Sequence, residues 1–458
     1  MKKKVWIISA AVLLLLLLAA YGVGCWYFHS HFYYGSLIDG ELCGCLTVEQ
    51  SRELLVAKSA GYELTIQGRN GLSDTLSSEE TGWSLEPTAE LEKIIGYQRW
   101  WLWPLSYFES HSYELTESVE LNEELFAAAL EEMSIFDPKN ITEPKDAELS
   151  SYDPESKGYY IVEEAEGNQI LEEEATEAIR SALLARQSEL DLTDGQYYEQ
   201  PSVRADDEEL VSLMEQMNSY TQITITYDMH GIEVTLDGDT ISEWLTVENG
   251  AVSVDKELTD AWIEELAETY NTYGKSRSFT TISGETMTLR GGAYGWKLDV
   301  EAEQEAILEL LDAGESVSHT PSWTKEGYVT GTDDIGNTYV EIDLGSQHLY
   351  VIVKGAVVFE SDFVSGNVAD GSTTPSGVFG ITYKTTNAVL RGDDYTTPVS
   401  YWMPFNGNIG MHDATWRSSF GGDIYLTNGS HGCINLPLSA AKQIYGLVET
   451  NMPVICYY

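Results

Sequence analysis

Positively charged residues are scarce in this chain. It carries 25 Lys and Arg residues against 74 Asp and Glu residues in 458, a formal net charge of −49. A surface of this sign repels nucleic acid, which excludes a nucleic-acid-binding protein, and it repels anionic lipid headgroups. Residues 331–458 hold 12 acidic and 5 basic residues, a net charge of −7, so most of the excess lies upstream. We interpret that excess as a solvated surface.

Cysteine is also scarce, and five residues in 458 exclude a disulfide-stapled scaffold. Cys43 and Cys45 are too close in sequence for an unstrained bridge. Cys25 lies in an apolar run, and Cys456 lies in the apolar segment 453–457, where a buried thiol is expected. Cys433 is the thiol with unusual neighbours.

The N-terminal region combines a basic start with a long uncharged run. Lys2, Lys3 and Lys4 precede residues 5–28, which contain no charged residue. Twenty-four helical residues extend about 36 Å, enough to cross a hydrocarbon core of about 30 Å. Bulky rings end the run at Trp26, Tyr27 and Phe28, which favours a retained anchor over a cleaved signal peptide. We predict a cytoplasmic tail (1–4), a transmembrane anchor (5–28) in the cell membrane, and an extracellular remainder.

The predicted fold is multidomain, with α+β stalk modules after the transmembrane helix. The first module covers residues 36–118 and includes a capping-box pattern, Thr47-Val48-Glu49-Gln50. In two places a strand pair ends in Gly-Trp-x-Leu before an acidic helix, at residues 82–85 and 295–298, which indicates a repeated module. Residues 221–236 alternate like a hairpin that turns near His230. For the aromatic cluster 100–104, core packing is the favoured role, ahead of contact with the bilayer surface or with sugar rings.

A linker and a change of character mark the C-terminal domain. Residues 319–336 are rich in Gly, Ser, Thr and Asp and are predicted to be a linker. Beyond it, apolar and polar residues alternate and Lys354-Gly355 is a hairpin turn signal, which predicts a mostly-β domain over residues 337–458.

The chemistry concentrates in Ser430-His431-Gly432-Cys433-Ile434-Asn435, with His412 standing 21 residues before Cys433. A cysteine nucleophile needs a base for its proton and N–H groups for the developing oxyanion. His412 or His431 is a candidate base, and Asp413 is a candidate to orient an imidazole. Two alternatives remain: a structural Cys and His in a glycine-rich turn, and a zinc site built from His412, Asp413, His431 and Cys433. The zinc site ranks lower because adjacent ligands are geometrically awkward.

These motifs closely resemble the L,D-transpeptidase catalytic domain, also called the YkuD domain. Its signature is a His, a spacer of 14 to 17 residues, and Ser/Thr-His-Gly-Cys-x-Asn/Arg; the spacer here is residues 413–429, 17 in number. Residues 374–379 and 401–405 are also similar to family segments. The upstream segments 236–245 and 291–296 resemble a peptidoglycan-binding module often joined to this domain in Gram-positive bacteria. We expect about two such modules over residues 119–318.

The resemblance implies a role for each residue and no metal or other cofactor. Cys433 would be the nucleophile and His412 the general base and acid. Asp413 or a nearby carbonyl would steady the His412 tautomer. Supporting roles would fall to Ser430, His431, Gly432 and Asn435, with Gly432 and Cys433 as oxyanion candidates. Candidates for substrate contact are Trp402, Met403 and Asn435.

The implied partners are two peptidoglycan stem peptides, a donor and an acceptor, besides the bilayer around the anchor. Cys433 would attack the third residue of a tetrapeptide stem, D-Ala would leave, and an acceptor amine would resolve the thioester to a 3→3 cross-link. Carbapenems are the expected inhibitors. Two alternatives stay open: an L,D-carboxypeptidase in which water resolves the thioester, and a non-catalytic wall-binding protein.

Overall fold

The computed structural model describes residues 2–392 and 396–458; Met1, at the start of the predicted cytoplasmic tail, and residues 393–395 lie outside the described residues. Its first element is a 27-residue helix, α1 (Lys2–Phe28). The most apolar window of α1 has a mean hydropathy of 2.5 and contains no buried residue. The predicted N-terminal apolar helix is thus confirmed, and its length and composition suit a membrane span.

The described residues form two units. Unit 1 runs to Glu148 and resumes over Val162–Asp207, while unit 2 contains Leu149–Ile161 and Glu208–Tyr458. After α1, the helices of unit 1 are α2 (Val48–Ser59), α3 (Ser78–Thr81), α4 (Thr88–Tyr97), α5 (Trp103–Ser106), α6 (Glu123–Glu131) and α7 (Glu172–Leu184). Its strands are β1 (Leu37–Ile38), β2 (Glu41–Leu42), β3 (Glu63–Gln67), β4 (Ser73–Ser77), β5 (Ser84–Leu85), β6 (Ser112–Tyr113), β7 (Val119–Glu120) and β10 (Glu189–Asp191). Two further strands, β8 (Glu148–Leu149) and β9 (Ile161–Val162), lie where the chain passes from one unit to the other.

One hydrophobic core serves the whole of unit 1. It contains Leu64 and Leu91 together with Phe126 and Ile179. The predicted boundary between residues 118 and 119 is therefore displaced, because residues on both sides of it share this core. The capping box is confirmed: the Thr47 hydroxyl accepts from the Gln50 N–H at 3.3 Å, and the Gln50 side chain accepts from the Thr47 N–H at 3.0 Å.

The first half of unit 2 is an α+β module with its own core. Its helices are α8 (Glu208–Thr221), α9 (Gly238–Ser242), α10 (Lys256–Tyr270) and α11 (Val300–Ala313). Its strands are β11 (Ile225–Met229), β12 (Ile232–Leu236), β13 (Leu245–Glu248), β14 (Ala251–Val254), β15 (Arg277–Thr280), β16 (Thr286–Leu289), β17 (Lys297–Leu298), β18 (Val317–His319) and β19 (Trp323–Lys325). The predicted hairpin is β11–β12, which turns at His230 and Gly231.

The Gly-Trp-x-Leu segments have a similar element order in both units, except that α3 lies between the hairpin and the short strand in unit 1. A hairpin, β3–β4 or β15–β16, precedes a short strand, β5 or β17, and a helix, α4 or α11, follows. Trp83 and Trp296 are both buried. The repeated pattern is confirmed, with its first occurrence in unit 1 and its second in unit 2.

The predicted linker over residues 319–336 is largely ordered. It contains β19, which pairs with β17. The Asp334 carboxylate, only 2% exposed, forms an ion pair with the Arg277 guanidinium at 2.6 Å. The linker prediction is corrected here, because Gly and Ser content signalled irregular backbone but not the pairing and charge contacts that fix it.

The C-terminal domain holds two sheets, as the predicted mostly-β class requires. One has the order β22-β21-β20-β28-β23 and the other β24-β25-β26-β27. The strands are β20 (Tyr339–Asp343), β21 (His348–Val353), β22 (Ala356–Asp362), β23 (Gly377–Gly380), β24 (Thr385–Arg391), β25 (Thr396–Asn406), β26 (Ile409–Asp413), β27 (Ile434–Leu436) and β28 (Pro453–Tyr457), with helices α12 (Ile424–Asn428) and α13 (Leu438–Leu447). Lys354 and Gly355 form the predicted turn between β21 and β22, both with positive φ.

The two halves of unit 2 share a small apolar interface. Phe279 and Tyr294 from the α+β module pack with Val378 and Ile455 of the C-terminal domain. The buried Glu341 carboxylate accepts from the Ile282 N–H at 2.9 Å across the same interface. Contact of this kind joins the module firmly to the sheet that supports the site.

Candidate active site

The register of two parallel strands brings the predicted site residues together. His412 of β26 lies opposite Asn435 of β27, and Met411 lies opposite Ile434. Cys433 immediately precedes β27, so the turn that carries the thiol delivers it to the end of the strand beside His412. The proximity of the two candidate catalytic residues therefore follows from backbone pairing rather than from a flexible loop.

A cavity of about 400 Å³ opens at this place. Both candidate catalytic side chains face it, together with residues from the turn and from two other strands. The lining residues are Leu390, Thr397, His412, Trp416, Arg417, Gly429, Ser430, His431, Cys433 and Asn435. A pocket of this size admits a peptide segment or a small bicyclic molecule.

Cys433 is a buried thiol, 8% exposed. It contacts the backbone of Asn408, in the β25–β26 turn, and of Gly410, in β26. Its Sγ donates to the Asn408 carbonyl at 3.6 Å. Burial raises the pKa of the Cys433 thiol, and a hydrogen bond from the Gly410 backbone opposes that shift. A raised pKa favours the neutral thiol over the thiolate.

His412 is a buried imidazole, 4% exposed, with one nitrogen fixed by the backbone. Its Nδ1 lies 2.9 Å from the Asp413 carbonyl oxygen and donates to it, because a carbonyl only accepts. This bond sets the tautomer that leaves Nε2 as the acceptor. Burial lowers the pKa of His412, and the Arg417 charge lowers it further, while Asp413 raises it. A neutral imidazole at neutral pH is the form that can accept a proton.

The Asp413 carboxylate does not face the imidazole. One of its oxygens accepts from the backbone N–H groups of Ser400 and Tyr401, at 2.7 and 2.8 Å. Of the two predicted ways to steady the His412 tautomer, the carbonyl is the one present, and it belongs to Asp413 itself. The side chain instead holds the backbone of Ser400 and Tyr401, in β25, against β26.

The turn before Cys433 is held by two hydroxyl groups. Ser430 Oγ donates to the Cys433 carbonyl at 2.6 Å and accepts from the Gly432 N–H at 3.1 Å. Thr374 Oγ1 donates to the Gly432 carbonyl at 2.6 Å. Gly432 has φ +116°, a backbone conformation that side chains rarely adopt, which explains glycine at this position. Because its N–H is engaged by Ser430, Gly432 is a weaker oxyanion candidate than Cys433.

Asn435 presents an unused polar group to the site. The residue is 2% exposed, and among the described residues Oδ1 has no hydrogen-bond partner. Its backbone N–H and carbonyl are both paired with Val364. A buried acceptor without a donor is costly, so a group that enters the cavity with an N–H would relieve it. His431 also lines the cavity, on its exposed side.

The two substrate-contact candidates on β25 have different positions. Trp402 packs with Cys433, and its ring centroid lies 5.8 Å from that of His412. Met403 is fully buried in the core of the C-terminal domain and does not line the cavity. The prediction for Met403 was wrong because successive residues of a strand point to opposite faces of the sheet.

Several cavity residues were not singled out from the sequence. Arg417 donates to the carbonyls of Asn428 and Gly429, at 2.7 and 3.0 Å, and so ties the turn to the end of β26. Trp416 lies beside His412, with ring centroids 5.9 Å apart. Both stand in the His-Asp-Ala-x-Trp-Arg segment, which was a usable signal. Leu390 and Thr397 come from β24 and β25, and no sequence signal marks them.

Potential metal ligands do not cluster over residues 2–392 and 396–458. No group of three or more His, Cys, Asp or Glu side chains is placed to hold an ion there.

Two family models match the chain. The model described as the L,D-transpeptidase catalytic domain, YkuD, matches residues 337–456. The model of a domain proposed to bind peptidoglycan matches residues 207–318. Both lie in unit 2, and the second match coincides with the α+β module. No curated protein sequence matches the chain.

Solved structures of bacterial L,D-transpeptidases are also similar. A cysteine-to-serine mutant of an Enterococcus faecium L,D-transpeptidase is 33% identical, over 54% of this chain and 100% of that one, with a TM-score of 0.47. The Ldtfm-avibactam carbamoyl enzyme is 33% identical, over 54% and 99%, with a TM-score of 0.48. The catalytic domain of the E. faecium enzyme acylated by ertapenem is 43% identical, over 27% and 98%, with a TM-score of 0.25.

Proposed function

Because the chain belongs to the L,D-transpeptidase family, we propose that it forms 3→3 peptidoglycan cross-links through a thioester on Cys433. The observation that carries this proposal is the cavity in which Cys433 and His412 meet on paired strands. The fixed Nδ1–H of His412 supports a base role, since Nε2 then carries the free lone pair.

In the proposed acylation step, Cys433 is the nucleophile and His412 the base. As Sγ attacks the carbonyl carbon of the third stem residue, its proton passes to His412 Nε2, and the carbonyl oxygen becomes an oxyanion. We assign the Cys433 N–H to that oxyanion, because the Gly432 N–H is held by Ser430. The C–N bond then breaks, His412 returns the proton to the leaving amine of D-Ala, and the thioester remains.

Resolution of the thioester repeats the same proton path in reverse. The acceptor amine attacks the thioester carbon, His412 takes a proton from the attacking nitrogen, and the Cys433 sulfur leaves and is reprotonated. No cofactor is needed, since the thioester conserves the energy of the broken peptide bond. The Asn435 Oδ1 is our candidate to accept from a substrate N–H, because it is buried and lacks a described donor.

Carbapenems should acylate the same sulfur. The similar structures include an ertapenem-acylated catalytic domain and an avibactam carbamoyl enzyme. In this chain the expected adduct is a mass increase on Cys433 equal to the carbapenem. Cys456, a core thiol of the same domain that is fully buried, should stay unmodified.

We also propose that α1 is a retained membrane anchor with the catalytic domain outside. The last turn of α1 is built into unit 1: Phe28 is buried, and the Gln98 side-chain amide donates to the Phe28 carbonyl at 2.9 Å. Cleavage of α1 would leave Gln98 and the ring contacts of Phe28 without their partners. The matched module at residues 207–318 would contact the wall.

The test uses the full-length protein in detergent with a disaccharide-tetrapeptide, analysed by mass spectrometry. A dimer that lacks one D-Ala supports cross-linking. Tripeptide alone supports the carboxypeptidase, and neither product would reject both activities. Cys433→Ala should abolish product and carbapenem labelling, whereas the matched Cys456→Ala should retain both. If His431→Ala costs more than His412→Ala, the base has been assigned to the wrong imidazole.

A further inference from the structure

An uncharged aromatic segment of unit 1 remains unexplained by this chemistry. Residues 100–108, here called the aromatic foot, read Trp-Trp-Leu-Trp-Pro-Leu-Ser-Tyr-Phe, between Arg99 and Glu109. On sequence alone, core packing was the favoured role for residues 100–104. The structure contradicts it, because Trp100, Trp101 and Leu102 are 37%, 46% and 37% exposed. Farther along the segment, Leu105 is 55% and Phe108 87% exposed.

The foot packs on the last turns of α1. The Tyr21 hydroxyl donates to the Trp101 carbonyl at 2.8 Å, and Trp103 Nε1 donates to the Tyr21 carbonyl at 3.2 Å. A Cβ added at Gly24 would come within 2.3 Å of the Trp103 ring, so ring and helix are in direct contact. The rings of Phe28 and Trp103 stack at 5.7 Å. The foot is therefore placed by the anchor itself.

The height of this contact along α1 follows from helix geometry. Tyr21 lies 16 residues after Val5, the first uncharged residue, which is about 24 Å at 1.5 Å per residue. The hydrocarbon core is about 30 Å thick, so the groups that touch Tyr21 and Gly24 lie near its outer boundary. Tilt of the helix brings them deeper. Tryptophan and tyrosine are the side chains that concentrate at this level of a bilayer.

The polar groups of the foot also suit such a position. The Leu102 N–H donates to the Arg99 carbonyl at 2.6 Å and the Phe108 N–H to the Leu105 carbonyl at 3.0 Å. Ser106 Oγ donates to the Trp103 carbonyl at 2.7 Å. A segment that enters the apolar boundary of a membrane has to satisfy its backbone internally, as this one largely does.

We infer that the aromatic foot is a second membrane contact, which inserts Trp101, Leu105 and Phe108 into the outer leaflet beside the anchor. The inference rests on the proposed retention of α1. The occupant is phospholipid rather than glycan, because Leu105 and Phe108, which are 55% and 87% exposed, are apolar and offer no group that could hydrogen-bond to sugar hydroxyls. A foot beside a single helix would limit how unit 1 tilts and turns on the membrane.

The experiment places the photo-crosslinking residue benzoylphenylalanine at position 105 or 108 of the full-length protein in phospholipid nanodiscs. The matched control is position 125 on α6, because the exposed fraction of Leu125, 45%, is similar to that of Trp101, 46%. Irradiation should give phospholipid adducts from positions 105 and 108 and none above background from position 125. Equal labelling at all three positions, or none at 105 and 108, would overturn the inference.

Two further measurements distinguish phospholipid from other occupants and test the retention of α1 separately. With purified glycan fragments present, a glycan adduct in place of lipid, or a protein–protein adduct between copies, would also overturn the membrane role. The intact mass of each preparation shows whether α1 is retained. If α1 is absent, the anchor proposal itself fails, whereas retained α1 without lipid adducts rejects the foot alone. Cross-link formation from disaccharide-tetrapeptide, measured in parallel, checks that each variant is folded.

Discussion

The imidazole of His412 donates from Nδ1 to the backbone carbonyl of Asp413, not to its carboxylate. The carboxylate accepts from two N–H groups of β25 instead. Asp413 therefore acts on His412 in two separable ways. Its backbone sets the tautomer, and its charge raises the pKa of the imidazole. Only the second can be changed by substitution of the side chain.

Asp413→Asn should consequently retain much of the activity. The carbonyl that fixes the tautomer stays, and the amide oxygen can take the place of the one carboxylate oxygen that accepts from both backbone N–H groups. We expect a loss in stability of about 1–3 kcal/mol, since a buried donor loses its charged acceptor. Loss of the charge should also lower the pKa of His412. Urea unfolding and kcat against pH would measure the two effects. A loss of activity as large as that of His412→Ala would mean that the carboxylate itself has a catalytic role.

The acid limb of the activity profile should lie below the ordinary histidine range. A base has to be neutral, so activity falls as pH drops through the pKa of His412. Burial lowers that pKa from its usual value near 6.5, and the Arg417 charge lowers it further. Arg417→Gln should therefore move the acid limb of kcat/KM to higher pH, opposite in direction to Asp413→Asn. The same direction for both variants would show that the charges of these residues do not control the limb.

The thiol of Cys433 should be protonated in the resting enzyme at neutral pH. Burial raises its pKa above the usual range of about 8.5. Alkylation by iodoacetamide, monitored by mass spectrometry across pH, should accelerate only in the alkaline range. Cys433→Ala identifies the signal from this site. Rapid alkylation with a midpoint between about 5 and 7 would instead indicate a thiolate–imidazolium pair of the kind found in cysteine proteases.

The site was predictable where one contiguous motif carries it. Ser430, Cys433 and Asn435 fall within six consecutive residues. His412 stands 21 residues before Cys433, on the strand that pairs with β27. Met403 failed as a prediction because a motif match ignores which face of a strand a residue occupies. Leu390 and Thr397 reach the cavity from the β24–β25 pair, and such non-local approach leaves no local pattern.

Individual elements of the fold were predictable from the sequence, but which elements share one core was not. The capping box at Thr47 and the turn at Lys354-Gly355 are short-range features that the backbone enforces. The boundary at 118 was displaced because Leu64 and Ile179, far apart in sequence, share one core. The predicted linker proved ordered because Asp334 forms an ion pair with Arg277, 57 residues away in sequence. The position of the aromatic foot is equally non-local, since its contacts are with α1, about 80 residues earlier in the chain.

Glu341 should make the stability of unit 2 depend on pH. Burial raises the pKa of its carboxyl, and hydrogen bonds from Ile282 and Tyr457 oppose that shift only in part. A folded pKa above the unfolded value of about 4.3 means that the stabilisation is complete below about pH 4 and is lost as pH rises through the folded pKa. Glu341→Gln removes this titration. The free energy of unfolding of the variant minus that of the unsubstituted protein should therefore increase from pH 4 to pH 7. The increase is about 1.4 kcal/mol for each unit by which the pKa is raised. Urea unfolding at several pH values measures the difference, with Glu360→Gln, at an exposed carboxylate of the same domain, as the control. A difference that shrinks with rising pH would show that the carboxylate is held in its charged form.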